Sequence, residues 1–264
     1  MKIHVISDLY LGYNEFSTEE EQIPDVDLVI INGNVGLLKR SMYYVETLCN
    51  KYPDIQFVVN LGQIERCAPE KYIGELEDNI SIRVSSNPTW PKNLYWGKKP
   101  AQIVLRNGLP INLLCTYGYP LVMRSIEPWE TTDWYRSHAM DYVDANSIEG
   151  SRFKPAETSD VPHGVIPIPA SIDYINQEHE KELVLVRNWE NTAAEGQRIL
   201  VTHVNQYNDK RFAGIKVKPY LIHLHQGIWI SSNTECNGLM FLGGKLYSNP
   251  GRGSNARGKV ITVN

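Results

Sequence analysis

Six residues with donor side chains stand at the ends of short apolar runs. Asp8 follows HVIS, Asn34 follows LVIING, Gln63 follows FVVNLG, His203 closes ILVTH, and Asn233 and Glu235 follow IWISS. Carboxylates and imidazoles bind hard or borderline divalent cations, and amide oxygens are weaker donors. A single polar residue at a strand end is commonly a turn former or a helix cap. Five strand ends that each offer one form a stronger pattern. In an α/β sheet the loops at the carboxyl ends of the strands converge on a crevice where ligands bind.

Those positions depend on elements that the apolar pattern predicts. KIHVIS is a β-branched strand, DVDLVIING a strand apolar enough to be buried on both faces, and DIQFVVNLG a third. Between the second and third, Leu38, Met42, Val45 and Leu48 recur at helical spacing until Pro53 stops the helix. A short helix at 68–79, with Pro69 near its start, and a fourth strand at 81–84 complete an alternating front third. Strand and helix in alternation imply parallel pairing through right-handed crossovers.

The rest of the chain is richer in strands. AQIVLRNG and LPINLLCTYG read as two strands around Asn107 and Gly108, with Cys115 in the core. A helix is expected over 128–147 and a loop over 161–171. A long helix over 171–194 is capped by Ser171 or Asp173 and ends near Gly196. RILVTHV, GIWISS, GLMFLG, KLYSNPG and GKVITVN read as strands.

In order and strand context the six positions resemble the calcineurin-like metallophosphoesterases. The likeness runs from Ile3 to about Gly253, with 120–171 poorly matched. That family carries Asp-x-His after its first strand, Gly-Asp after its second and Gly-Asn-His-Asp/Glu after its third. A lone His follows a later strand, then Gly-His-x-His and an Asn-Pro-Gly-Ser turn. This chain gives Asp8-Leu9-Tyr10, Gly33-Asn34, Gly62-Gln63-Ile64-Glu65, Thr202-His203, Ser232-Asn233-Thr234-Glu235 and the turn Ser248–Ser254. The resemblance implies an α/β fold, a four-layer α/β/β/α β-sandwich. It implies one domain over 1–264, with an insertion at about 120–171.

The family's chemistry rests on two divalent cations that share a bridging carboxylate and activate a water. Here Asp8 and His203 keep the ligand pattern. Tyr10 puts a phenol of pKa about 10 where an imidazole is expected. Asn34 removes the bridging negative charge, Gln63 moves its amide one methylene outward, and Asn233 and Glu235 replace two imidazoles. Ile64 stands at the position of the catalytic histidine and can neither move a proton nor donate a hydrogen bond. Asp8, Asn34, His203 and Glu235 remain as a donor set for one Mn²⁺, Mg²⁺ or Ca²⁺. The expected function is therefore a catalytically impaired phosphoesterase that binds a protein or a phosphate-bearing ligand. The alternative is an active phosphoesterase with a single-metal site on Asp8, His203 and Glu235.

Other features bear on partners. Arg252, Arg257 and Lys259 lie among glycines and suit either a phosphate or a plain basic turn. His223 and His225 alternate on one strand face, as a metal pair or as surface histidines. Trp129, Trp134, Tyr135 and Tyr142 suit a protein interface or a cover for the sheet. The net charge of −4 gives no general support to nucleic-acid binding. No apolar run reaches membrane-spanning length, and four widely spaced cysteines without CxxC suit free thiols in a reducing cytoplasm. GxSxG and P-loop patterns are absent.

Overall fold

The computed structural model describes residues 1–9, 22–36, 38–62, 91–96, 100–119, 121–122, 172–204, 217–218, 227–232, 238–242, 245–249 and 259–263. The front of the chain forms β1 (Lys2–Ile6), β2 (Leu28–Asn32), α1 (Leu38–Lys51), β3 (Gln56–Asn60) and β4 (Leu94–Trp96). The hairpin strands β5 (Ala101–Val104) and β6 (Pro110–Thr116) follow, then β7 (Leu121–Val122), α2 (Ile172–Thr192) and β8 (Gln197–Val204). Beyond β9 (Val217–Lys218) come β10 (Ile228–Ser232), β11 (Gly238–Leu242), β12 (Lys245–Asn249) and β13 (Lys259–Thr262).

Strands β1 to β4 pair in parallel in one sheet, which β13 closes antiparallel to β1. The second sheet has the order β11-β12-β10-β8-β6-β5. Its centre is parallel and each edge is an antiparallel hairpin. The fourth parallel strand is Leu94–Trp96; the expected strand at 81–84 and the helices at 68–79 and 128–147 lie outside the described residues.

Alternation along each strand sorts the apolar residues into separate cores. Ile3, Val5, Leu28, Ile30 and Val58 from the first sheet meet Ile111, Leu113, Cys115, Ile199, Val201 and Ile230 from the second. The other face of the first sheet, with Ile6, Val29, Ile31 and Phe57, is covered by Tyr44, Val45 and Leu48 of α1. The other face of the second sheet, with Leu114, Leu200 and Trp229, is covered by Leu183, Val186 and Trp189 of α2. Both sheets are thus buried on two faces, which accounts for the near-continuous apolar runs of β2, β3 and β8. Cys49 and Cys115 are free thiols within these cores, and burial pushes both well above the usual thiol pKa.

His4 shares the α1-facing side of β1 with Ile6 and is buried, and its Nδ1 has no hydrogen-bond partner among the described residues. Burial lowers its pKa to about 4 from 6.5. Above pH 6.5 both folded and unfolded states hold it neutral, so it contributes no pH dependence there. As pH falls from 6.5 toward 4 only the unfolded chain takes the proton, and stability is lost. The loss from this one residue should reach about 2–3 kcal/mol near pH 4.5. Urea denaturation of the wild type and His4→Gln at about pH 7 and about pH 4.5 measures it, and the variant should lose less on acidification.

Candidate functional site

The carboxyl ends of the parallel strands meet through glycines. Gly33 has φ 79°, and a Cβ there would lie 2.5 Å from the Gly62 Cα and 2.6 Å from the His203 Nδ1. A Cβ on Gly62 would lie 2.3 Å from the Asn34 backbone nitrogen and 2.6 Å from its Oδ1. Neither position has room for a side chain, so the glycine of each Gly-x pair is a packing requirement. The turn after β2 therefore touches the turn after β3, and the His203 ring lies against the first of them.

Asp8 and Asn34 carry the positive φ angles among the described non-glycine residues, 56° and 54°. Each such conformation costs on the order of 1 kcal/mol and survives only where neighbours enforce it. Here the Asp8 N–H donates to the Gly33 carbonyl at 3.0 Å. The Asn34 Nδ2 donates to Asp8 Oδ1 at 2.9 Å. Asp8, Asn34 and His203 are all 0% exposed.

His203 is held through the same Nδ1 edge. Its Nδ1 lies 2.9 Å from the Asn32 carbonyl oxygen. A carbonyl can only accept, so Nδ1 carries the proton, and in the neutral ring Nε2 carries the lone pair. The Tyr117 ring packs beside it, with centroids 5.5 Å apart.

Beneath these residues lies a buried amide network that the strand-end pattern missed. Asn32 Nδ2 donates to the Thr202 carbonyl at 2.8 Å and links β2 to β8. Asn60 Nδ2 donates to Asn32 Oδ1 and to the Thr116 carbonyl, each at 2.9 Å, and links β3 to β6. Trp229 Nε1 donates to Thr202 Oγ1 at 3.0 Å, and that hydroxyl donates to the Val204 carbonyl. The signal was the repeated ending of VIIN and FVVN. Both asparagines close buried strands and are register partners.

The structure thus brings Asp8, Asn34 and His203 together. Tyr10, Gln63, Ile64, Asn233, Glu235, Arg252, Arg257, His223 and His225 lie outside the described residues. Among the described residues no three His, Cys, Asp or Glu side chains form a metal-binding group. The donor chemistry at Asn34 also does not fit a two-cation centre. A bridging ligand must offer anionic oxygen to both metals, whereas Asn34 turns N–H toward Asp8.

Three solved structures are similar to the chain, and the first agrees with this architecture. The phosphopantetheinyl hydrolase PptH from Mycobacterium tuberculosis matches with a TM-score of 0.63 at 11% identity, over 100% of this chain and 96% of that one. A dimetal phosphatase from Danio rerio matches at 0.42 and 8%, over 96% and 87%. Vacuolar Protein Sorting 29 from Cryptosporidium parvum matches at 0.32 and 14%, over 95% and 74%. No family model and no curated protein matches the chain. The chain has the calcineurin-like metallophosphoesterase fold, and at this identity the likeness extends to the fold alone.

Asn34→Asp places a second carboxylate against Asp8 and removes the amide donor. In the absence of divalent cations it should destabilise the protein by about 1–3 kcal/mol. Denaturant titration in EDTA checks this, and equal stability of variant and wild type would show that the amide–carboxylate bond contributes nothing.

Proposed function

We propose that the chain is a pseudo-phosphoesterase: a metallophosphoesterase-fold protein that no longer hydrolyses phosphoesters and acts as a binding or regulatory module. The observation that carries this reading is the hydrogen bond from the Asn34 amide to Asp8. It occupies a carboxylate oxygen with a neutral donor at the position where the related fold would use an anionic bridge. Ile64, in place of a proton-moving histidine, supports the same reading from the sequence. A protein or a phosphate-bearing ligand is the expected partner, through the face that carries Asp8 and His203 or the aromatic segment around Trp129–Tyr142, with Arg252 and Arg257 suited to a phosphate.

A second reading, a phosphoesterase using one Mn²⁺, Mg²⁺ or Ca²⁺ on Asp8, His203 and Glu235, draws on one observation. His203 donates from Nδ1 to a backbone carbonyl, and this leaves Nε2 suited to a cation.

The two separate in a turnover assay with a phosphodiester and a phosphomonoester in the presence of Mn²⁺. The expected result is no metal-dependent hydrolysis by the wild type. Turnover that is abolished by both Asp8→Asn and His203→Ala would establish the enzyme reading instead.

A further inference from the structure

The segment Tyr117-Gly118-Tyr119, just beyond β6, lies between α2 and His203. On its α2 side it meets a buried carboxylate. Glu182 Oε1 accepts from the Tyr117 N–H at 2.8 Å and the Gly118 N–H at 3.2 Å. Oε2 accepts from the Gly118 N–H at 3.1 Å and the Tyr119 N–H at 2.8 Å. Three consecutive backbone N–H groups that converge on one anion form a nest. Such charge-assisted bonds are the strong class, and a buried nest left without its anion loses all of them at once.

The same segment is held in two further ways. His179, one helical turn before Glu182, donates from Nδ1 to the Tyr119 carbonyl at 2.6 Å. Tyr174 of α2 packs edge-on against Tyr119, with centroids 6.3 Å apart, and Tyr119 against Tyr117 at 4.8 Å. On the other side the segment bears directly on the residues that flank His203. The Tyr117 carbonyl accepts from the Val204 N–H at 2.8 Å. Gly118, at φ 89°, sits so close that a Cβ there would lie 2.9 Å from the Thr202 Cβ and 3.0 Å from the Val204 oxygen. The Tyr117 ring then contacts the His203 ring.

The geometry points to Glu182 as the positioning residue of His203. Its carboxylate acts as a built-in anion that fixes the 117–119 nest, and the nest sets the Tyr117 backbone and ring against Val204 and His203. Through this chain α2, which packs on the outer face of the second sheet, reaches the site histidine. The coupling goes beyond the functional reading above, because it holds whether or not the crevice turns over a phosphoester.

The test reads His203 itself in full-length, ¹⁵N-histidine-labelled protein at one fixed pH. Nδ1-proton exchange and the ring tautomer are followed by NMR, and His203→Asn supplies the assignment. Glu182→Gln keeps the side-chain size but brings N–H donors toward a nest of N–H donors. In it the His203 Nδ1 proton should exchange at least roughly tenfold faster than in the wild type. Leu48→Ala, a core truncation on α1, should leave that rate unchanged after correction for global stability. Unchanged exchange in Glu182→Gln, or equal acceleration in Leu48→Ala, overturns the assignment. If Glu182→Gln does not fold, Tyr117→Leu decides, since it removes the ring that contacts His203 while keeping the nest. Unchanged His203 exchange in that variant also overturns the assignment.

Discussion

The side-chain amide of Asn32 joins the two sheets where the crevice is built. Its donor takes the Thr202 carbonyl of β8, its oxygen takes the Asn60 amide, and its own backbone carbonyl takes the His203 ring proton. A buried carbonyl left unsatisfied costs about 1–3 kcal/mol, so each of these contacts is required once the strand ends are dry. The sheets are also pinned at their opposite end, where Arg106 bridges Asp25 and Asp27. Asp25 is exposed and Arg106 half-exposed, and such pairs contribute little, while Asp27 is more enclosed and also accepts from the Lys2 N–H at 2.8 Å. At the carboxyl ends the amide junction fixes how the strand ends face one another.

That junction bears on why a strained backbone persists at the strand ends. Gly33 and Gly62 can approach only because neither has a side chain, and the approach leaves Asp8 and Asn34 in left-handed conformations. Asn34 then satisfies Asp8 locally. A buried carboxylate thereby receives an uncharged donor. Among the described residues the left-handed turns at Asp8 and Asn34 are therefore held by hydrogen bonds.

Much of this was legible in the residue pattern. The β-branched runs of β1 to β3, the Asn107–Gly108 hairpin and the long helix before β8 all read correctly, because local propensity and burial point the same way there. Three features did not. Leu94–Trp96 is too short to signal a strand. It is anchored by Asn93, whose side chain donates to the Cys49 carbonyl in the last turn of α1 and to the Tyr52 and Ile55 carbonyls beyond it, a contact made only in the folded chain. Asn32 and Asn60 carried no signal singled out in the sequence, since nothing local distinguishes an asparagine that ends a strand from one that spans two sheets. Glu182 stands in the buried stripe of Ile175, His179, Val186 and Trp189. An acidic residue in an apolar stripe was a visible signal, but its partners, the amides of 117–119, are more than sixty residues away.

The most direct measurement of the central claim is a crystal structure grown with Mn²⁺, with anomalous scattering recorded at the manganese edge. The Asn34 amide should still donate to Asp8, with no pair of anomalous peaks in the crevice. Two manganese peaks between Asp8 and His203 would contradict it.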